Sequence, residues 1–299
     1  MRTPLLSIAI IFLVFISGYS QGKNSDFSKL NGPYLGQKPP GLTTEVFSPE
    51  IISTIEGSEM CAAFTNDGTF SIFFTKEIDG RWTKPQPLHF TDGDFTISPD
   101  GSKIFFGSNR PRTSEERILE SMDIYFIQRD ESGGWSNPVN IGPPVNSDHG
   151  ENYPSVAANG NLYYFSCTNE GWGGCDLYMA PFRNMKYQQP ILLDENINSN
   201  MHDWDAYVSP DESYIIFSSK DWSDTIGAQD LYISFKGENN NWTKAENLRG
   251  AVNSAFDEIC PSITLDGKYL FFMSRRRGKA DIYWVSTKII EELKSLNKK

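Results

Sequence analysis

The sequence predicts an all-β chain built from a repeated unit. Aromatic residues make up 13% of the chain and turns rich in Gly, Asp, Asn and Pro recur along it, whereas runs of helix-forming Ala and Leu are scarce. Such a composition favours short strands over helices. The repeat itself is an acidic residue three positions before a short strand that runs into a turn of the SPDG type. It occurs five times, as EMCAAFTNDG (59–68), DGDFTISPDG (92–101), ENYPSVAANG (151–160), DWDAYVSPDE (203–212) and EICPSITLDG (258–267).

One complete unit can be followed from residue 151. Its predicted strands are PSVAA, NLYYFSC, DLYMAPF and the extended piece around KYQQPILL, with a turn or loop after each. The acids at positions 92, 151, 203 and 258 are 59, 52 and 55 residues apart. Four short antiparallel strands in a unit of this length are typical of a β-propeller blade.

The chain termini predict how the ring closes. The last unit has three strands and ends before a fourth, whereas residues 44–54 (TEVFSPEIIST) match the fourth-strand pattern of the other units. We therefore expect an N-terminal strand to complete the last blade, which leaves no open sheet edge between the first and last blades. Five acids predict five four-stranded blades. Six blades are the alternative, because the first unit is irregular and only 33 residues separate Glu59 from Asp92.

The first twenty residues have the features of a secretory signal peptide. Arg2 gives a positive start, Leu5–Ile16 is almost wholly apolar, and small residues precede a cut after Ser20. The apolar run is too short to span a bilayer, which takes about twenty residues. We expect export to the periplasm or the extracellular space, with no membrane insertion after cleavage. The remaining chain divides into a flexible segment (21–41), a single propeller (42–290) and a polar tail (291–299).

The net charge of the chain restricts its partners. It is −11 at pH 7 and becomes −12 when Arg2 is removed with the signal peptide, and the sequence pI is near 4.8. Binding to a nucleic-acid backbone or to an anionic membrane is therefore disfavoured. We expect a monomer.

The four cysteines predict two disulfides, which an exported protein can form. Cys167 and Cys175 flank a glycine-rich loop between two predicted strands, where a hairpin could bring them together. Cys61 and Cys260 occupy the same repeat position in the first and last units, which are neighbours if the ring closes. The alternative is four small buried thiols, because sequence spacing does not prove connectivity.

A family resemblance rests on three of these segments. SPDGSKIFFGSNRP, SPDESYIIFSSKD and LDGKYLFFMSRRRGKADIYW resemble PD40 repeats, the WD40-like propeller units of TolB-type proteins. The resemblance extends over residues 42–288, and D-[IL]-Y elements recur in phase with the turns. It departs from the TolB pattern because no α/β domain is predicted before the propeller, so the partner contacts of TolB-type proteins are not expected here. The four D-[IL]-Y elements begin at Asp123, Asp176, Asp230 and Asp281.

The repeat places its acids at one rim of the propeller channel, where the first strand of each blade begins. The longest loops emerge on the same face and carry tryptophans, which stack against sugars or peptide side chains. We predict a site for a protein, a peptide or a cell-envelope glycan there, to which carboxylates could add Ca²⁺ as the one possible cofactor. The candidate binding residues are Glu59, Asp92, Glu151, Asp203, Glu258, Trp172, Trp204 and Trp222.

A structural role is the stronger interpretation for the acids. Five like charges in a bare ring would repel one another, so we expect each carboxylate to bind local backbone N–H groups or a neighbouring Ser or Arg and to hold the blades in register. The same applies to Trp172 and Trp222, which we expect to pack under their own loops. Trp82, Trp135, Trp242 and Tyr187 recur in the fourth-strand pattern and are predicted to be packing residues.

Few residues suggest catalysis. His149 and His202 precede Glu151 and Asp203 in consecutive units and are the candidate metal ligands or acid–base groups. No H-E-x-x-H or G-x-S-x-G motif is present, and no candidate nucleophile has a recognisable partner residue in the sequence. A binding scaffold without catalytic residues is therefore the leading hypothesis. A propeller glycoside hydrolase or lyase with a His/carboxylate site at the channel rim is the alternative.

Overall fold

A computed structural model describes most of the chain from residue 94 onward. It covers residues 94–296 apart from 113–117, 132–133, 169, 221 and 238. It also covers 12–17, 30, 33–49, 53 and short strands between 58 and 88.

The fold is all-β, with four propeller blades that are each a four-stranded antiparallel sheet. The blades are A (Phe95–Ile97, Lys103–Ser108, Asp123–Gln128, Val139–Asn140), B (Glu151–Val156, Leu162–Ser166, Asp176–Ala180, Ile191–Leu192), C (Asp203–Val208, Tyr214–Ser219, Asp230–Phe235, Glu246–Asn247) and D (Glu258–Ile263, Tyr269–Ser274, Asp281–Ser286, Glu45–Val46).

The fourth strand of blade D comes from the N-terminal region, as the sequence predicts. Glu45 pairs with Trp284 and Val46 with Tyr283 in antiparallel register. The next residue, Phe47, is 1% exposed and lies edge-on to Trp284, with ring centroids 5.2 Å apart. The predicted pairing of residues 44–54 with the last unit is therefore confirmed, and buried aromatic contacts hold it in place.

A further four-stranded sheet precedes blade A in the chain, but it does not establish the number of blades. Its second strand, Phe12–Ser17, belongs to the predicted signal peptide, and most of the first unit lies outside the described residues. Blade counts of five and six both stay predictions. The strand order in this sheet is Ser58–Met60, Phe12–Ser17, Ile72–Thr75, Gln86–Leu88. In the sequence, a hairpin of Glu77–Ile78 and Arg81–Trp82 separates the last two of these strands.

Apolar side chains between adjacent blades form the core. Between blades B and C, Tyr163, Phe217 and Tyr232 are at most 1% exposed, and the predicted packing residue Trp242 joins them at 8%. Fully burying a large apolar side chain contributes about 1.5–3 kcal/mol. The blades are therefore held together mainly by this burial.

Three asparagines attach the end of each blade to its third strand. Asn146 accepts the backbone N–H of Ile124 (2.8 Å) and donates to its carbonyl oxygen (2.9 Å). Each asparagine thus satisfies a backbone N–H of the third strand and adds a second hydrogen bond to the carbonyl oxygen of the same residue. The other two are Asn198 on Leu177 and Asn253 on Leu231.

The two ends of the propeller region differ from expectation. Within the segment predicted to be flexible, Tyr34 and Leu35 in the short turn Pro33–Gly36 are buried against Trp284 of blade D. Where a polar tail was expected, an α-helix spans Lys288–Leu296, and its Ile289 and Ile290 pack on the core between blades C and D. Among the described residues, no helix has the length and apolar character needed to cross a bilayer.

Candidate functional site

One end of the propeller carries both the starts of the first strands and the loops between the second and third strands, and we call it the loop face. Each first strand is tied there to the preceding blade. The N–H of Glu151 donates to the carbonyl oxygen of Met122 (2.8 Å), and the N–H of Asp203 donates to that of Cys175 (2.9 Å). Because neighbouring blades share these bonds, the loop face is a continuous surface rather than a set of separate loops.

The described rim acids are buried and fully occupied by local hydrogen bonds. Glu151 is 2% exposed, and Asp203 and Glu258 are 0% exposed. Each carboxylate accepts the backbone N–H of the serine four residues earlier and a hydroxyl from the second strand of its own blade. These serines are Ser147 and Ser166 for Glu151, Ser199 and Ser219 for Asp203, and Ser254 and Ser274 for Glu258.

These contacts match the structural role considered for the acids. A buried carboxylate that accepts several charge-assisted hydrogen bonds fixes the chain where it passes from one blade to the next. Burial raises the pKa of Asp203 to about 6, against the opposing effect of its serine hydrogen bonds. Of the remaining predicted site acids, Asp92 lies outside the described residues and Glu59 is described only as part of a strand.

The aspartates of the D-[IL]-Y elements hold the loops of the loop face. All four are 0% exposed. In blades B and C the carboxylate accepts two backbone N–H groups of its loop, whereas in blades A and D it pairs with a cationic side chain. The contacts are Asp176 with Trp172 and Gly173, Asp230 with Ile226 and Gly227, Asp123 with Arg112, and Asp281 with Lys279.

The three candidate tryptophans have different environments. Trp172 is 48% exposed, and its Nε1–H donates to the carbonyl oxygen of Leu193 (3.1 Å), so its ring is fixed but faces solvent. Trp222 packs on Tyr232 (centroids 5.4 Å apart) and donates from Nε1 to the hydroxyl of Ser219 (2.9 Å), as expected for a loop-packing residue.

Trp204 stacks on a histidine. Its ring lies parallel to that of His202, with centroids 4.8 Å apart and planes 5° apart, and Lys220 Nζ is 5.7 Å from its centroid. Gly174 makes room for the imidazole, since a Cβ at that position would lie 2.3 Å from His202 Cε1. The Nδ1 atom of His202 is buried and has no hydrogen-bond partner among the described residues.

The two candidate histidines have different exposures, and their role as metal ligands stays a prediction. His149 is exposed, whereas His202 is half-buried. Within the described ranges, no group of three or more His, Cys, Asp or Glu side chains is placed to hold a metal ion.

Half of the exposed large apolar side chains in the described part of the chain lie on the loop face. The described residues include ten large hydrophobic side chains that are at least 36% exposed, and five of them lie on this face. The other five lie on outer strands, before Glu45 or at the opposite end. Of the five on the loop face, only Trp172 is among the predicted site residues, because Met and Phe at isolated loop tips follow no periodic pattern. The five are Ile118, Trp172, Met201, Ile226 and Phe256.

Four of these residues form two equivalent pairs at successive blade junctions. A Cβ at Gly173, beside Trp172, would lie 2.2 Å from the Met201 carbonyl oxygen. A Cβ at Gly227, beside Ile226, would lie 1.9 Å from the Phe256 carbonyl oxygen. Glycine therefore allows each loop to pack directly on the chain that enters the next blade. We call Trp172/Met201 and Ile226/Phe256 the apolar pairs.

Inside the propeller, a bulge re-aims one residue in the first strand of blades B, C and D. Tyr153, Asp205 and Cys260 lie two residues after the rim acid and have φ angles of 50°, 49° and 59°. The pairing with the second strand shifts register at each of these positions. A bulge re-aims a side chain in this way. The hydroxyl of Tyr153 reaches across the channel from blade B to the Pro261 carbonyl oxygen of blade D (3.2 Å).

Two carboxylates share this part of the channel. Asp94 is the residue of blade A that corresponds to Tyr153, and its Oδ2 accepts a hydrogen bond from Asn152 Nδ2 (2.9 Å). Oδ2 of Asp205 accepts from the Ser218 hydroxyl and the Cys260 N–H, both at 3.3 Å. Neither residue is among the predicted site residues, because an aspartate stands at this repeat position in only two of the five units, whereas the others have Cys or Tyr. An acid at an otherwise uncharged repeat position was the available signal.

Burial dominates the ionisation of this pair. Burial and, second to it, the negative charge of Asp94 together raise the pKa of Asp205 to about 7. Burial also raises the pKa of Asp94 to about 6, partly offset by the hydrogen bond from Asn152. The two carboxylates thus bind protons more tightly than exposed aspartates do.

The structure joins Cys167 and Cys175 in a disulfide, with Cα atoms 3.9 Å apart. It closes the loop that carries Trp172. Cys260 is also disulfide-bonded. Its predicted partner, Cys61, lies outside the described residues, so the pairing of Cys61 with Cys260 stays a prediction.

Comparison with known proteins finds similarity at the level of structure alone. No protein-family model and no curated protein matches the sequence. The solved structures that resemble the chain include TolB from Acinetobacter baumannii (TM-score 0.46, 13% identity, 77% of this chain and 51% of that one). An α-L-arabinofuranosidase from Lactobacillus brevis matches with a TM-score of 0.45 and 11% identity, over 75% of this chain and 88% of that one. An oligogalacturonate lyase in complex with manganese matches with a TM-score of 0.37 and 16% identity, over 72% of this chain and 54% of that one. The chain spans about half the length of the TolB chain. Similarity this distant assigns no activity, and membership of the PD40 family stays a prediction.

Proposed function

We propose that the protein is an exported binding scaffold that takes a protein or peptide partner on its loop face. The observation that carries this proposal is the recurrence of an apolar pair at two successive blade junctions of this face. Exposed large apolar groups that cluster on one face mark interaction sites. Hydrogen bonds and buried aspartates hold the loops that carry these pairs, so the surface is formed before a partner binds.

The composition of the loop face favours a polypeptide over a glycan. A glycan site needs aromatic planes together with free polar groups, but the described rim carboxylates are occupied by their own blades. Met, Ile and Phe beside a fixed Trp are instead the residues of a protein interface, where aromatic residues and Met are enriched. A cell-envelope glycan that stacks on Trp172 is the alternative ligand.

Export to the periplasm or the extracellular space is part of the proposal. It rests on the signal-peptide features of residues 1–20 and agrees with two observations. Cys167 and Cys175 are joined in a disulfide, and Cys260 is also disulfide-bonded. Disulfides persist in oxidising compartments and are rare in the cytosol.

The test is capture of partners from a native cell-envelope extract, followed by affinity measurement with each purified candidate. Trp172→Ala and Phe256→Ala each remove one member of an apolar pair, and we expect each to weaken binding at least tenfold. Met185→Ala and Leu265→Ala are matched controls, since both side chains are exposed but lie away from the loop face. Equal affinity for all four variants would contradict the proposal, and a glycan-array signal that Trp172→Ala abolishes would favour the alternative.

A propeller enzyme, a glycoside hydrolase or lyase, is the second candidate because of His202. Its buried Nδ1 has no partner among the described residues, and its ring lies against Trp204, so it combines an unused acid–base atom with a stacking surface. Substrate screening of the wild type and of His202→Ala tests this candidate. Turnover that His202→Ala abolishes would establish it, whereas turnover that persists in the variant would remove His202 from the mechanism.

A further inference from the structure

The channel contains buried oxygens that have neither a hydrogen-bond partner nor an ion pair, whereas the unbonded oxygens of Asp281 are paired with Lys279 and Arg277. Oδ1 of Asp94 is buried and has no hydrogen-bond partner, and the same is true of Oδ1 of Asn152 beside it. The hydrogen bonds to Asp205 from Ser218 and Cys260 all go to Oδ2. Unsatisfied buried oxygens are rare in folded proteins and indicate a missing partner.

A cation matches these acceptor oxygens best. No lysine, arginine or histidine in the described part of the chain forms a salt bridge with Asp94 or Asp205, whereas Asp123, Glu258 and Asp281 each have one. Asp94 and Asp205 also repel each other across the channel. Two neighbouring carboxylates without a cationic side chain therefore attract a cation.

Solvent ions can reach the pair. Asp94, Asn152 and Asp205 each keep part of their surface exposed, although the individual Oδ1 atoms of Asp94 and Asn152 are buried. A Cβ at Gly107 would lie 1.9 Å from Asn152 Oδ1, so this glycine leaves the room that the amide occupies. The three side chains belong to blades A, B and C, and a ligand shared by them would join three blades.

We propose that the channel binds one Ca²⁺ ion through side-chain oxygens of Asp94, Asn152 and Asp205, with water completing the coordination. The donor set consists of two carboxylates and one amide oxygen, which suits a hard cation and not Zn²⁺ or Cu²⁺. Cys260, the nearest sulfur, is disulfide-bonded and offers no thiolate. Ca²⁺ tolerates irregular arrangements of six to eight oxygens, whereas Mg²⁺ requires a near-ideal octahedron. This site is independent of the partner proposed for the loop face.

Calorimetric titration of the EDTA-treated protein with CaCl₂, together with its melting temperature, tests the proposal. We expect one binding site and a melting temperature that rises with Ca²⁺. Asp94→Asn and Asp205→Asn should each weaken binding at least tenfold. Asp211→Asn is the matched control and should bind as the wild type does, because its carboxylate is held by Ser209 and Ser213 in the turn of blade C.

Three results would overturn the proposal. They are absence of binding to the wild type, unchanged affinity in a protein that carries both channel substitutions, and equal affinity for MgCl₂. Near-UV circular dichroism of each variant in EDTA separates loss of the site from loss of the fold. A variant that keeps the wild-type spectrum and loses binding supports the assignment.

Discussion

Asp203 and Asp205 lie two residues apart on one strand of blade C, yet their surroundings differ. Asp203, at the loop-face rim, is fully buried and accepts hydrogen bonds from Ser199 and Ser219. Asp205 lies beyond the bulge, in the channel, and its longer hydrogen bonds reach only Oδ2. An acid that recurs in every unit is thus a structural element of the repeat, whereas an acid at a variable position is the better candidate for a ligand site.

The largest expected effect comes from an acid that holds the loop face. Asp230→Ala should lower the free energy of unfolding by about 3 kcal/mol, because it leaves the N–H groups of Ile226 and Gly227 and the amide of Asn247 without their buried acceptor. Urea denaturation measures this loss. The control is Asp224→Ala in the same exposed loop, which should change stability by less than about 0.5 kcal/mol. Similar values for both variants would show that buried loop aspartates have no special structural role.

The channel acids should make the stability of the protein depend on pH. Asp94 and Asp205 have folded-state pKa values of about 6 and about 7, above the usual value of 3.8. The folded state therefore binds more protons than the unfolded state, and stability must fall as the pH rises from about 5 to about 8. Asp203 contributes in the same direction. In EDTA we expect a decrease on the order of 2 kcal/mol over this range.

Asp205→Asn sharpens this prediction, because it removes the group with the higher pKa. Its stability should vary less between about pH 5 and about pH 8 than that of the wild type. Urea denaturation at several pH values in EDTA measures both profiles. A wild type whose stability rises with pH across this range would contradict the proposed protonation of the pair.

The smallest effect on stability is expected at the apolar pairs. Trp172→Ala removes a ring that is 48% exposed, so the free energy of unfolding should fall by no more than about 1 kcal/mol. Thermal denaturation of this variant beside Met185→Ala measures the change. A loss as large as that of Asp230→Ala would mean that Trp172 is a packing residue of its loop and not part of a binding surface.

The repeated features of the fold could be predicted from the sequence. Strand alternation, the turns and the D-[IL]-Y elements lead to four-stranded blades, and a fourth-strand pattern at residues 44–54 identifies the segment that completes blade D. Cys167 and Cys175 are close in sequence on either side of one loop, so their disulfide could be predicted. Each of these features is visible in residue spacing within a repeat unit, so it can be predicted without knowing which distant residues are in contact.

The channel and the apolar pairs could not be predicted in the same way. A bulge with positive φ at Tyr153, Asp205 and Cys260 interrupts the two-residue alternation of a strand, and nothing in the residue types marks it. Tyr34 and Leu35 are buried by a single turn that has no periodicity. The helix Lys288–Leu296 was detectable, since Ile289, Ile290 and Leu293 share one helical face.

The ion-paired rim acid Glu258 and the channel acid Asp205 should have opposite effects on folding, and one pair of isosteric substitutions tests this most directly. Glu258→Gln and Asp205→Asn each remove one negative charge. Urea denaturation at about pH 8 in EDTA should show that Glu258→Gln is less stable than the wild type by about 2 kcal/mol, because the charge-assisted bonds from Ser254, Ser274 and Arg276 are weakened. Asp205→Asn should be more stable than the wild type by about 1–2 kcal/mol, because a poorly compensated buried charge is removed. Two changes of the same sign would contradict the account.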